Sequence, residues 1–205
     1  MAKTMRVSFI LDETGSMQTV KEATISGFNE YIDTLAKDKA SENVLFTLTK
    51  FNANKIDIVL NNVEISKVPH LTGETYRPTD LTPLYDAIGK TINSLGGLKG
   101  KKQHVLVVIQ TDGLENASKE YDRKKIFDMI NEKKDKGWAF IFLGADQDAY
   151  IVSESIGVSR GNTMSYNSQD TQKTLRGMAD ATVCYASAGG MRTTNLVSDE
   201  DDDSK

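Results

Sequence analysis

The sequence is short of several residue types at once, and each shortage excludes a class of protein. One cysteine, Cys184, stands in 205 residues. That excludes a disulfide framework, a four-cysteine zinc site and an iron–sulfur cluster held by this chain alone. Three prolines and fifteen glycines exclude collagen-like and proline-rich disordered chains. No apolar run approaches the ~18 residues that cross a bilayer, so no membrane span is expected. The two histidines, His70 and His104, are far apart, and neither has a Cys or His partner at ligand spacing. The first six residues lead directly into Val7-Ser8-Phe9-Ile10-Leu11. This is too short an apolar region for a secretory signal and, with the lone thiol, implies a cytoplasmic protein.

Charge of one sign is also lacking. The formal net charge is −4, with 29 acidic against 25 basic residues. Residues 199–203 carry five of the acids, and without them the remainder is near neutral. The lysine clusters at 99–102 and 133–136 are small and have no interleaved aromatics, so nucleic acid is not an expected partner. The chain is long enough to bury a full core without staples.

What is present alternates between short apolar runs and amphipathic stretches. Arg6 to Leu11 reads as a buried strand. Ile25, Phe28, Ile32 and Leu35 then recur at helical spacing. Residues 44–51 alternate like a half-buried strand. Asn52-Ala53-Asn54 is a turn signal before a further strand over 56–65, which predicts an antiparallel edge. After a loop over 66–82, Leu84, Ile88, Ile92 and Leu95 line a helix with Pro83 at its first turn. His104 to Ile109 has no alternation and predicts a central strand buried on both faces. A charged helix over 119–136, a strand over 138–143, a helix around 147–156, a weak strand around 161–166 and a last helix over 169–186 follow. Cys184 in that last pattern reads as a small buried hydrophobe. The expected architecture is α/β: a doubly wound, mostly parallel sheet with one antiparallel edge strand and helices on both faces. Residues 1–186 form the domain and 187–205 a flexible acidic tail.

Ligands of such sheets bind beyond the carboxyl ends of the strands, at the topological switch point. Three polar clusters fall there: Asp12-Glu13-Thr14-Gly15-Ser16-Met17, Thr79-Asp80-Leu81-Thr82-Pro83-Leu84-Tyr85-Asp86, and Gln110-Thr111-Asp112-Gly113-Leu114-Glu115-Asn116. Hydroxyls with one or two carboxylates are hard oxygen ligands suited to Mg²⁺ or Mn²⁺. Each cluster taken alone also fits a plain turn or helix cap. Glu13, Asp80, Asp86 and Glu115 read as loop-bonding or potential-setting groups rather than ligands.

Asp12-x-Thr14-x-Ser16, Thr82 and Asp112-Gly113 together resemble the metal-ion-dependent adhesion site (MIDAS) of von Willebrand factor A (VWA) domains. The likeness covers about residues 5 to 185, and it extends to stand-alone VWA proteins of bacteria and tailed phages. Thr14 departs from the family's serine and keeps the hydroxyl. The resemblance implies a divalent cation, Mg²⁺ or Mn²⁺, held by Asp12, Thr14, Ser16, Thr82 and Asp112, directly or through water. It implies one position open to an Asp or Glu of a protein partner, and a last helix that shifts with the state of the site. The expected function is metal-dependent protein binding without catalysis.

Two rival readings are a structural or phage-encoded inhibitor that docks by helical surfaces, and a phosphoryl-transfer or hydrolytic enzyme. The second is weakened because Asp12 has Thr14 where the haloacid-dehalogenase loop has its second aspartate, so the general acid is missing.

Overall fold

The computed structural model describes residues 4–95, 104–145, 148–166, 171–190 and 195–197. Six strands form one sheet: β1 (Met5–Asp12), β2 (Val44–Asn52), β3 (Lys55–Glu64), β4 (His104–Thr111), β5 (Ala139–Ala145) and β6 (Thr163–Tyr166). Their order is β3-β2-β1-β4-β5-β6. Only the β2–β3 hairpin is antiparallel; the other four pairings are parallel. Five helices, α1 (Lys21–Lys37), α2 (Leu84–Leu95), α3 (Arg123–Asp135), α4 (Asp148–Ser155) and α5 (Thr171–Ser187), accompany them.

The core lies in two layers because side chains alternate across each strand. Val7, Phe9 and Leu11 of β1, Leu106 and Val108 of β4, and Ile141 and Leu143 of β5 pack with Phe28 and Ile32 of α1 and Leu175 and Met178 of α5. Val105, Val107 and Ile109 of β4, and Phe140 and Phe142 of β5, pack with Ile88 and Ile92 of α2 and Ile126 and Ile130 of α3. A continuous apolar strand with no alternation, such as β4, is therefore the correct sequence for a strand covered on both sides. α1 and α5 lie close together at Gly27, where a Cβ would sit 2.4 Å from Leu175 Cδ1.

Several expectations need correction. β2 is buried along nearly its whole length, including Thr47, Thr49, Lys50 and Asn52, rather than half-buried. It lies between β1 and β3 with helices on both faces, so its polar alternate positions are inside too. α3 starts at Arg123, capped by the Asp122 side chain accepting from Lys125 N–H, because the preceding residues are a loop tied to α2. Cys184 is exposed; the buried stripe of α5 runs through Leu175, Met178, Ala179, Thr182 and Tyr185 instead. Beyond α5, Leu196 and Val197 are buried, and Leu196 N–H donates to Asn162 Oδ1. The chain therefore still packs on the domain past residue 187, and the acidic run 199–203 lies outside the described residues.

Candidate metal centre

β1 connects through α1 to β2 on one side, whereas β4 connects through α3 to β5 on the other. The crevice between neighbouring β1 and β4 is thus the switch point of the sheet. Asp12 ends β1 and Asp112 follows β4 directly.

All five sequence-predicted residues meet there. Thr14 Oγ1 lies 3.3 Å from Ser16 Oγ and accepts from Thr82 Oγ1, also at 3.3 Å. Ser16 Oγ donates to Asp112 Oδ1 at 2.6 Å. Asp12 joins through Oδ1, which accepts Thr14 N–H at 2.7 Å, and through Oδ2, which accepts the Thr111 hydroxyl at 2.5 Å. Thr111 stands in the third of the clusters read from the sequence, but its bond to Asp12 was not foreseen; its place next to Asp112 at the end of a central strand was the available signal. Asp12, Thr14 and Thr82 are buried, while Ser16 is exposed and Asp112 half-buried. The cluster therefore has a floor and one open side.

This donor set fits a small hard cation. Neighbouring ligand oxygens around an octahedral Mg²⁺ with bonds of about 2.1 Å stand about 3.0 Å apart. The O···O separations of 2.6 to 3.3 Å along Thr82–Thr14–Ser16–Asp112 bracket that spacing. Gly113 preserves the room: a Cβ there would lie 2.9 Å from Thr82 Oγ1 and 3.2 Å from Ser16 Oγ. Thr14 turns its hydroxyl into the cluster, so its extra methyl does not displace the oxygen. Burial pushes the Asp12 carboxyl up to about 6, against the pull of hydrogen bonds from Thr111 and Thr14, and the nearby Asp112 adds to the rise. Burial raises Asp112 as well. Two carboxylates held above their usual range are the groups a divalent cation relieves. Among the described residues no group of three or more His, Cys, Asp or Glu side chains is placed to hold a metal. The candidate centre is hydroxyl-rich and differs from such a cage.

Four acidic residues that were not expected to be ligands brace the loops instead. Glu13 Oε1 accepts from Lys50 Nζ at 2.9 Å and from Arg77 N–H at 2.8 Å, in a pair that is almost wholly buried. Lys50 Nζ also donates to the Thr75 carbonyl at 2.5 Å, and the buried Tyr76 hydroxyl donates to the Asp12 carbonyl at 2.7 Å. Asp80 takes a left-handed backbone, φ 67°, which aspartate tolerates better than most residues. Its carbonyl accepts Gly15 N–H at 2.9 Å. Asp86 accepts the backbone N–H groups of Lys119, Glu120 and Tyr121. Glu115 does the same for Tyr85, Ala117 and Ser118. Asn116 closes the set, accepting Thr82 N–H while its own N–H donates to the Thr82 carbonyl. Gln110, one residue before Thr111, is fully buried, and neither of its amide atoms has a partner among the described residues.

The sequence matches no protein-family model and no curated protein. Solved structures do match. The vWF domain of the type V pilus tip protein Mfa5 from Porphyromonas gingivalis superposes with a TM-score of 0.64 at 10% identity, covering 89% of this chain and 96% of that one. The chain has a von Willebrand factor A-like fold. Proximal thread matrix protein 1 from the mussel byssus matches with a TM-score of 0.62 at 15% identity over 87% of this chain. A structure of that protein with a zinc-occupied MIDAS motif matches equally, at 14% identity. The chain spans about half the length of the byssus protein, 48%, and 30% of the pilus adhesin SpaC from Lactobacillus rhamnosus GG, which it matches with a TM-score of 0.63. The VWA-like fold accounts for the sheet order.

Proposed function

We propose that this chain is a metal-dependent protein-binding module. Asp12, Thr14, Ser16, Thr82 and Asp112 hold a divalent cation, Mg²⁺ or Mn²⁺, and an Asp or Glu of a partner protein completes its coordination. The observation that carries this reading is the meeting of the Thr82, Thr14, Ser16 and Asp112 oxygens at successive separations of 2.6 to 3.3 Å, with the Asp12 carboxylate bonded to Thr14 N–H beside them, Ser16 exposed and Asp112 half-buried. When bound, the cation supplies an electrophilic point to which a carboxylate makes a charge-assisted bond. With only two carboxylates among the donors, the loaded centre is not over-neutralised and keeps affinity for a third anion. Asp12 is fixed by Thr111 and by Thr14 N–H, and Tyr76 holds its carbonyl, so the chain's own residues position the donors before any ligand arrives.

Two features support binding over turnover in this reading. Thr14 stands where a second aspartate would serve as general acid, and His70 bonds Asp33 on the surface, remote from the cluster in sequence and contacts. The similar proteins, pilus tip, pilus adhesin and byssus matrix, support an interaction role by analogy of fold. Among the described residues no helix is long and apolar enough to cross a membrane.

Capture of a protein partner with Mg²⁺ or Mn²⁺ present, and its loss both with chelator and in Asp12→Ala, is the expected result. Capture that survives both treatments overturns the reading.

A further inference from the structure

Large apolar side chains at the surface are ordinary when scattered singly. Among the described residues the exposed ones include Ile58, Val59, Leu81, Leu114, Phe127 and Ile151. Two of these, Leu81 at 57% and Leu114 at 61% exposed, stand on the two loops that flank the candidate metal centre. Leu81 directly precedes the buried Thr82, and Leu114 follows Asp112-Gly113. The two loops are bonded to each other through Thr82 and Asn116.

Neither leucine is exposed because its loop is loose. Asp80, before Leu81, is tied to Gly15 N–H, and Thr82, after it, to Asn116. Glu115, after Leu114, is fixed by three backbone N–H groups. The fold thus holds two apolar side chains outward beside an oxygen cluster, where solvent alone would favour polar ones. A pre-ordered apolar rim loses little conformational freedom on binding, so its burial is realised as affinity.

We propose that Leu81 and Leu114 form an apolar rim that selects the partner's carboxylate by its neighbours. The fitting partner is a protein surface presenting one Asp or Glu flanked by bulky apolar side chains. This rests on the metal-dependent reading above. Charge complementarity seats the carboxylate on the loaded centre, and the rim covers the flanking apolar groups.

The test uses the full chain loaded with Mn²⁺ and three capped peptides, Ac-Leu-Glu-Leu-NH2, Ac-Ser-Glu-Ser-NH2 and Ac-Leu-Gln-Leu-NH2. Binding is read from the fall in Mn²⁺-enhanced water relaxation as a carboxylate displaces bound water. The first peptide is expected to bind about ten-fold tighter than the second, from the apolar area covered, and the third not to register. In Leu81→Ser/Leu114→Ser that preference is expected to collapse to about one, with Mn²⁺ affinity and Ac-Ser-Glu-Ser-NH2 binding unchanged. Equal binding of both glutamate peptides to the wild type, or an unchanged preference in the double variant, overturns the rim while leaving the metal reading intact. Failure to bind Mn²⁺, or any glutamate peptide, overturns the metal reading and the rim with it.

Discussion

The two ends of the sheet are built differently. At the carboxyl end, side chains brace the loops: Glu13, Asp86, Glu115, Asn116 and Tyr76 each bond backbone groups of a loop distant in sequence. At the amino end lies a cavity of about 440 Å³, lined by residues including Met5, Lys39, Glu42, His104 and Gly190. Its wall is made by close backbone approach. Gly190, at φ 69°, lies so near His104 that a Cβ would fall 2.2 Å from Nδ1. His104 Nε2 is buried with no partner among the described residues. This cavity is at the end where parallel strands begin, and the oxygen donors are at the end where they finish. The contrast teaches that the loops around the oxygen donors are held by side chains that reach across the sequence, whereas the amino-end cavity is shaped by close backbone approach.

Substitutions on the two ends sharpen that contrast. The largest effect is expected from Lys50→Met, which leaves the buried Glu13 carboxylate without its cation. Breaking such a pair costs about 3–5 kcal/mol, read by denaturant unfolding. Lys50→Met with Glu13→Gln is expected to recover most of that loss. A Lys50→Met chain as stable as the wild type would remove the brace from the account.

Asp12→Asn comes next, with the opposite sign in the metal-free protein. The folded state raises the Asp12 carboxyl from 3.8 to about 6. Its contribution to stability is therefore complete below the unfolded value and is lost as pH rises through the folded one. At pH 7 the buried charge costs on the order of 3 kcal/mol. Without metal, Asp12→Asn is expected to melt higher than the wild type at pH 7, the gap closing as pH falls from about 6 to 4. With Mn²⁺ the order reverses at pH 7, since only the wild type gains from binding. A gap independent of pH would contradict the assignment of charge burial to Asp12.

At the other end the effects are smaller and separate from metal. Gly190→Ala is expected to cost about 1–2 kcal/mol, through its positive φ and the contact with His104. His104→Leu removes an unpartnered buried nitrogen and is expected to change stability by less than about 1 kcal/mol. Both variants should bind Mn²⁺ as the wild type does, by calorimetry. Weakened binding in either would join the two ends that the structure separates.

Much of the fold and the placement of the candidate site was legible in the sequence, for reasons visible in particular residues. β4 is apolar on both faces because helices cover both, and the turn at 52–54 announced the antiparallel β3. The donors of the candidate centre stand within a few residues of strand and helix ends, so the strand-end rule pointed to three polar clusters, and the VWA resemblance singled out Asp12, Thr14, Ser16, Thr82 and Asp112 among them. The loop-bonding role of Glu13, Asp86 and Glu115 was legible, but their partners were not. Lys50 meets Glu13 across 37 positions, and Asp86 meets the 119–121 backbone across 33 to 35. No local pattern encodes such pairs. Cys184 was misplaced because the buried stripe of α5 passes through Thr182 and Tyr185, residues whose polarity hid it from a hydrophobic count.

The most direct test of the metal centre is calorimetric titration of the full chain with Mn²⁺ and with Mg²⁺, beside Asp12→Ala and His104→Leu. The account predicts one site per chain in the wild type and in His104→Leu, and none in a folded Asp12→Ala. Absence of binding to the wild type, or binding that persists in Asp12→Ala, would contradict it.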